Sequence, residues 1–436
     1  MNTIGLKVRN FGPITSGYEL EDGIMTFPKV TMFCGPQGSG KSTVTKLASA
    51  FMWLEKAAYI IGWGDVNQEL DGREAVERLL EWHGLKTYFK SNTEIEYRGT
   101  YLSLIYNHKE AKIISCKECI ANYSKTKLMY IPAERNFLHI LGKSTGVRLL
   151  PPPLVALQEV FQMTKETMGK PVPIPVNGYE FAYHEDQDLA VVINSSEGPD
   201  SSETPIHEAS SGLQSLIPLY LVTEFLSRQI GTRRIFSPRV RSLALSVPDN
   251  PLMTVAKNSG EILYARTAKA LDAQFYMVRS ALPYAGLVNI VEEPEQNLFP
   301  PTQRRMLRML LSHNNRHDEN RLVVSTHSPY LVSELMASAE AFALQLLNEK
   351  RGPGVEDCAT AIGKLYPSEA RVDAGSIKIY ETDHDGRITE LERVGDVFSD
   401  QNYLNRHLKF ARWHFEDMKA VREVLQGSGR ELRHRD

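Results

Sequence analysis

At roughly 100–200 residues per domain, the 436 residues allow two or three structural units and a sizeable buried core. Hydrophobic residues make up 42% and charged residues 24%, an ordinary globular balance that excludes a disordered or fibrous chain. A net charge of −3 calls for no nucleic-acid partner by itself, although a sum says little about distribution. Cys34, Cys116, Cys119 and Cys358 are too few and too scattered for a disulfide framework, and the lone Cys116-x-x-Cys119 reads as two thiols in a surface hairpin. The opening MNTIGLKVRNFG has no apolar leader core, and no stretch of about 18 apolar residues is seen, so a cytoplasmic setting without a membrane is expected.

Thr3 to Val8 alternates like a strand and is broken by Asn10-Phe11-Gly12-Pro13. Val30 to Phe33 is a short apolar run that leads into a glycine-rich turn, and Lys41 to Ile61 reads as a helix. Gln68 to His83 also reads as a helix, with Leu70, Val76, Leu79 and Leu80 on one face. Glu94 to His108 and Ala111 to Cys116 read as antiparallel strands about Lys109-Glu110, and Leu128 to Ile131 as a strand stopped by Pro132. Tyr179 to Asn194 reads as a β-hairpin, Ser195 to Thr204 as a polar loop, and Leu213 to Leu226 as an apolar helix that Pro218 should kink. Ile262 to Ser280 is a further helix. Leu287 to Val291 and Leu322 to Ser325 are short apolar runs of the kind buried parallel strands show. Asp383-His384-Asp385-Gly386 reads as a hairpin turn rather than a metal loop. The last helix, Asn402 to Leu425, carries Leu404, Leu408, Phe415 and Met418 as an apolar stripe that is expected to pack on the core, the alternative being to dock a partner.

Three segments carry chemistry. Gly35-Pro36-Gln37-Gly38-Ser39-Gly40-Lys41-Ser42-Thr43 matches GxxxxGK[ST] in full, between an apolar strand and a helix. Its glycines let backbone N–H groups turn inward on phosphates, and the next helix points its positive end at the same charge. Lys41 is expected to reach the β- and γ-phosphates of ATP, and Ser42 to offer its hydroxyl to Mg2+. Leu287 to Glu295 (LVNIVEEPE) is an apolar strand ending in carboxylates at the sheet edge beside that loop. Glu292 is assigned to the metal, through water, and Glu293 to the general base that polarises the attacking water. Leu322 to Pro329 (LVVSTHSP) ends in His327, which can hydrogen-bond the γ-phosphate and sense its loss.

Together, the P-loop, the EEPE strand followed by Asn297-Leu298-Phe299-Pro300, and the THSP strand resemble the ABC ATPases. Within them the chain is most similar to the SMC/RecF/OLD-like branch, which includes many prokaryotic defence ATPases, and the opening VRNFGPI resembles that branch's first strand. The resemblance implies an α/β fold: an ABC-type P-loop NTPase with a mixed central sheet, an antiparallel β subdomain and inserted helical segments. It suggests an N-terminal lobe with the P-loop (1–61), a β subdomain with a helical insertion (62–178) and a signature-motif region (179–283). A C-terminal ATPase lobe (284–350) and a terminal hairpin and helix (351–436) complete the division.

The resemblance further implies a signature Ser-Gly at a helix start, which Ser211 and Gly212 fit, with Ser210 as an alternative. In the family this segment closes over the γ-phosphate held by another copy, so a homodimer or higher homo-oligomer is expected. Met129 to Arg135 falls at the family's Q-loop but has no glutamine, leaving Glu134 or Arg135 as stand-ins, and Asn297 falls at the D-loop. The wide spacing of Lys41 from Gly212 and the departure from LSGGQ argue against a transporter ATPase. The expected function is a regulatory or sensor subunit of a prokaryotic anti-phage or toxin-like system, controlling a separately encoded effector such as a nuclease. The alternative is a RecF-like DNA-repair ATPase that clamps DNA, with Arg304, Arg305 and Arg308 in a basic stripe. His313-Asn314-Asn315-Arg316-His317 lacks the ββα context of an HNH nuclease, so no nuclease chemistry is expected in this chain.

Overall fold

Five strands run parallel through the centre of the computed structural model, which describes residues 4–61, 69–139, 151–168, 170–195, 202–231, 282–351, 356–395 and 397–425. Their order is Ile377–Thr382, Val30–Cys34, Arg321–Thr326, Gly286–Glu292 and Thr126–Ile131. Arg387–Glu390 folds back antiparallel on Ile377–Thr382, and Gly17–Tyr18 adds the last strand on that side. Val30–Cys34, Gly286–Glu292 and Arg321–Thr326 are buried at every position, which is why they read as unbroken apolar runs.

Alternate side chains of these strands feed two cores. Met32, Val291 and Val324 pack against the helices Pro152–Glu166, Ser211–Arg228, Pro300–Asn315 and Pro329–Arg351. Phe33, Ile290, Val323 and Tyr380 face the helix Lys41–Ile61 and an antiparallel sheet built around Gly5–Phe11, Phe89–Arg98, Leu102–Tyr106 and Ala111–Ser115. A separate antiparallel sheet contains the hairpin Tyr179–His184 and Leu189–Asn194. The expected α/β architecture, with a mixed central sheet, an antiparallel β subdomain and inserted helical segments, is what the chain adopts.

Several local expectations change. The stretch Glu94 to His108 is two strands, not one, because Gly99 turns the chain against Glu55 of the Lys41–Ile61 helix. The Glu55 carboxylate accepts from the Tyr101 N–H (2.9 Å), the Leu102 N–H (3.3 Å) and the Tyr97 hydroxyl (2.7 Å). A Cβ at Gly99 would lie 2.4 Å from that carboxylate. The helix expected from Gln68 is only Arg73–Trp82, since Glu69–Asp71 pairs with Ala111–Ser115.

Cys116 and Cys119 form a disulfide rather than two hairpin thiols, because the short 3-10 turn Lys117–Asn122 brings their Cα atoms to 5.3 Å. The last helix, Tyr403–Leu425, is anchored at its start, where the Tyr403 N–H meets Glu381 and Leu404 packs on the core. Beyond that turn Leu408 and Met418 of the expected stripe are about half exposed, at 50 and 55%, and the side chain of Phe415 lies outside the described residues. Pro329–Lys350 is apolar and long enough to cross a membrane by composition alone, and its Leu331, Val332, Leu335 and Ala339 are buried in the core. The helix expected over 262–280 and most of the loop over 195–204 lie outside the described residues.

Candidate nucleotide site

The glycine loop bridges Val30–Cys34 and the helix that begins at Lys41. Gly35, Gly38 and Gly40 all have positive φ, at 144°, 74° and 96°. At Gly35 a Cβ would stand 2.2 Å from the Thr382 carbonyl oxygen, so only glycine fits. Thr382, at the end of the C-terminal strand Ile377–Thr382, also places its hydroxyl 2.5 Å from Ser39 Oγ. Pro36 and Gln37 lie on the outer part of the loop, while Ser39, Gly40 and Thr43 are buried in its base and Ser42 is half-buried.

Lys41 is buried, and its ammonium donates to the Gly35 and Pro36 carbonyls at 3.0 and 2.5 Å. Burial draws its pKa down to about 8, against the opposing attraction of Glu293, Glu295 and Glu292. The same ammonium is 3.4 Å from His327 Nδ1. A lysine only donates, so Nδ1 is the acceptor and the ring proton sits on Nε2. Nε2 is 3.5 Å from the Glu293 carboxylate, whose pKa is lowered chiefly by this histidine.

Glu292 and Glu293 are adjacent in sequence but occupy different surroundings. Glu292 ends its strand with a buried carboxylate, and the Thr45 hydroxyl lies 3.3 Å from it and 3.1 Å from the Ser42 carbonyl. Glu293 has φ of 42°, a left-handed conformation unusual outside glycine. Its N–H donates to the Ser325 carbonyl at 2.8 Å and its side chain is a third exposed.

Thr45 thus joins the start of the helix to Glu292, and Ser325, opposite Glu292 in the sheet register, has a buried hydroxyl without a partner. Ser42 and Glu292 are hard oxygen donors, the kind Mg2+ accepts alongside water and phosphate oxygens. Among the described residues no group of three or more His, Cys, Asp and Glu is arranged for a metal, which includes the turn at Asp383 to Gly386.

Two residues in the cluster were not singled out from the sequence. Glu295 turns inward: Oε1 accepts the His327 N–H at 2.6 Å, Oε2 is buried without a partner, and burial raises the pKa. Thr382 braces the loop from the far end of the chain. The third E of EEPE was a visible signal for the first; Thr382 had none. Of the two Q-loop stand-ins, Glu134 is exposed, whereas Arg135 is fully buried and donates to the carbonyls of both Glu292 and Glu293 at 2.7 Å.

Ser211 and Gly212 open the helix Ser211–Arg228, capped by Ser210, whose hydroxyl accepts from the Leu213 N–H at 3.5 Å. Ser210 and Ser211 are exposed. Gly212 lies against Asn297, whose carbonyl oxygen would be 2.7 Å from a Cβ there. On the helix Pro300–Asn315, Arg308 is committed to Glu334 and the Tyr366 ring, leaving Arg304 and Arg305 exposed.

No protein-family model matches the chain, and no curated protein matches it. Among solved structures it is similar to the SMC head domain from Thermotoga maritima, at 11% identity and a TM-score of 0.35, covering 77% of this chain and 92% of that one. It is also similar to an SMC head bound to the C-winged helix domain of ScpA, at 9% identity and a TM-score of 0.38, covering 89% and 97%. A third is an SMC head with an extended coiled coil, bound to the C-terminal domain of ScpA derived from Pyrococcus furiosus, at 9% identity and a TM-score of 0.35, covering 96% and 99%. Likenesses this distant assign no function.

Proposed function

We propose that the chain is an ATP-binding and ATP-hydrolysing ATPase of the ABC/SMC type, completed when two copies meet. The observation that carries this is the line from the Lys41 ammonium through the His327 ring to the Glu293 carboxylate, with steps of 3.4 and 3.5 Å, beside a complete glycine loop. In this reading Lys41 and the loop N–H groups bind the β- and γ-phosphates. Ser42 and Glu292 would hold Mg2+, which would screen the phosphate charge. Glu293 takes the proton of the attacking water, and it is ionised for that task. His327 contacts the γ-phosphate and ties its presence to Glu293. Ser211 and Gly212 of a second copy close the site; the exposure of Ser210 and Ser211 supports such a meeting.

We further infer a regulatory or sensor role, in the cytoplasm, within a prokaryotic defence or toxin-like system with a separately encoded effector such as a nuclease. Co-purification with the products of adjacent genes, with and without ATP, tests it; recovery of the chain alone in both conditions would count against the effector.

The ATPase reading is tested by nucleotide binding, phosphate release and mass in solution. Lys41→Ala is expected to weaken ATP binding by at least about a hundredfold, the loss of a buried charge-assisted contact to phosphate. Glu293→Gln is expected to retain ATP, accumulate as dimer and lower turnover by about 100- to 10,000-fold, the usual share of a general base. Unchanged turnover in Glu293→Gln removes the base assignment.

A further inference from the structure

Arg135 is the largest fully buried side chain of the described residues. Among the described residues, every hydrogen bond of its guanidinium goes to a backbone carbonyl. Nη1 donates to Pro132 (3.2 Å) and Glu292 (2.7 Å), Nη2 to Glu293 (2.7 Å), and Nε to Ser215 (3.1 Å). One planar group therefore spans the end of the acidic strand and the first turns of the Ser211 helix.

Both ends of that span matter to the proposed chemistry. Glu293 is held in a left-handed conformation that an L-residue adopts only when its surroundings over-determine it. The Ser325 carbonyl fixes its N–H, and Arg135 fixes its carbonyl. The other end is the helix whose exposed start would meet a second copy. Two further contacts bind that helix to the turn after Glu293: Ser215 Oγ to Gln296 Oε1 at 3.4 Å, and Gly212 against the Asn297 carbonyl.

We propose that Arg135 is a positioning residue that couples the Ser211 helix start, engaged in one composite site, to the orientation of Glu293 in the other. The inference rests on the composite-site reading above. In a two-fold pair each copy lends its glycine loop and Glu293 to one site and its helix start to the other. A phosphate drawn onto the helix start loads the Ser215 carbonyl. The rigid guanidinium fork transmits that load to the Glu293 carbonyl, and so to the direction of its carboxylate. A lysine at this place keeps a charge but cannot bridge both carbonyls in a fixed plane.

The test measures phosphate release over a range of ATP for the wild-type full chain and for Arg135→Lys. A methylanthraniloyl derivative of ATP reports binding, and thermal unfolding reports integrity. The wild type is expected to respond sigmoidally, with a Hill coefficient rising toward about 2 for two coupled sites. Arg135→Lys is expected to respond hyperbolically, with kcat down about a hundredfold from misplacement of the base. Its affinity for the ATP derivative is expected to stay within about twofold, because ground-state binding is not what the fork supports. A hyperbolic wild type overturns the coupling without reference to any variant, so misfolding of Arg135→Lys leaves the test standing. A variant that keeps the wild-type Hill coefficient, or that loses binding together with kcat at unchanged thermal stability, also overturns it. Failure of the wild type to bind the derivative sinks the ATPase reading itself, whereas binding and turnover without cooperativity sink only the role of Arg135.

Discussion

Lys41 is in tension with its surroundings: it needs a positive charge for phosphate, yet burial draws its pKa to about 8. In the free protein the ammonium begins to lose its proton just above neutral pH, and a bound triphosphate would restore it. ATP affinity should therefore fall about tenfold between pH 7 and 9, one pKa unit being a factor of ten. Calorimetric titration in buffers of different ionisation enthalpy would reveal the accompanying proton uptake, and a pH-independent affinity would refute it. The stability of the nucleotide-free protein runs the other way. A depressed lysine penalises the fold while the unfolded chain still holds the proton, so stability rises as pH climbs from about 8 toward the ordinary 10.5. At this scale the sequence was most legible where chemistry is local. Gly35 to Thr43 is contiguous, and Glu292, Glu293 and His327 each end an apolar run. Glu295 and Arg135 act on backbone groups that come together only in three dimensions: the EEPE run and the Q-loop position point to the residues, but no window of sequence names those partners.

At the scale of elements, long periodic segments and doubly buried strands were readable, and turns made by tertiary contacts were not. Lys41–Ile61 and the two parallel strands near 287 and 322 lie close to where their apolar runs place them. The break at Gly99 was missed because its cause is Glu55, on the helix after the glycine loop. Removing that carboxylate takes away the acceptor that the Tyr101 and Leu102 N–H groups and the Tyr97 hydroxyl share. Glu55→Ala should cost about 3 kcal/mol, in the range for stranded buried donors. Its signature in denaturant unfolding should be a lower midpoint with an unchanged slope. The last helix meets the core at Leu404 but not at Leu408 or Met418. Its apolar spacing is real, but spacing cannot say whether anything lies opposite.

For the whole molecule, the parallel order of the central sheet decides where the site sits. Three strands from distant parts of the chain end at one edge and deliver Lys41, Glu293 and His327 to one place, a topology that no window of sequence contains. The neighbour of the glycine-loop strand on its other side, Ile377–Thr382, was read correctly as half of a hairpin, but its place in the central sheet was not visible. Thr382→Val removes the hydroxyl next to Ser39 and should weaken ATP binding about fivefold, the equivalent of about 1 kcal/mol for one hydrogen bond. Equal affinity in a side-by-side titration would show that the brace is dispensable.

That brace also imposes an order on biosynthesis. A ribosome extrudes the phosphate-gripping segment first, and Thr382 follows Ser39 by 343 residues, so a nascent chain has no steadied grip on nucleotide until that later strand has also emerged. Products aborted before Ile377 should therefore be inert toward ATP rather than partly active, and unable to poison assemblies of finished copies by occupying them with trapped nucleotide.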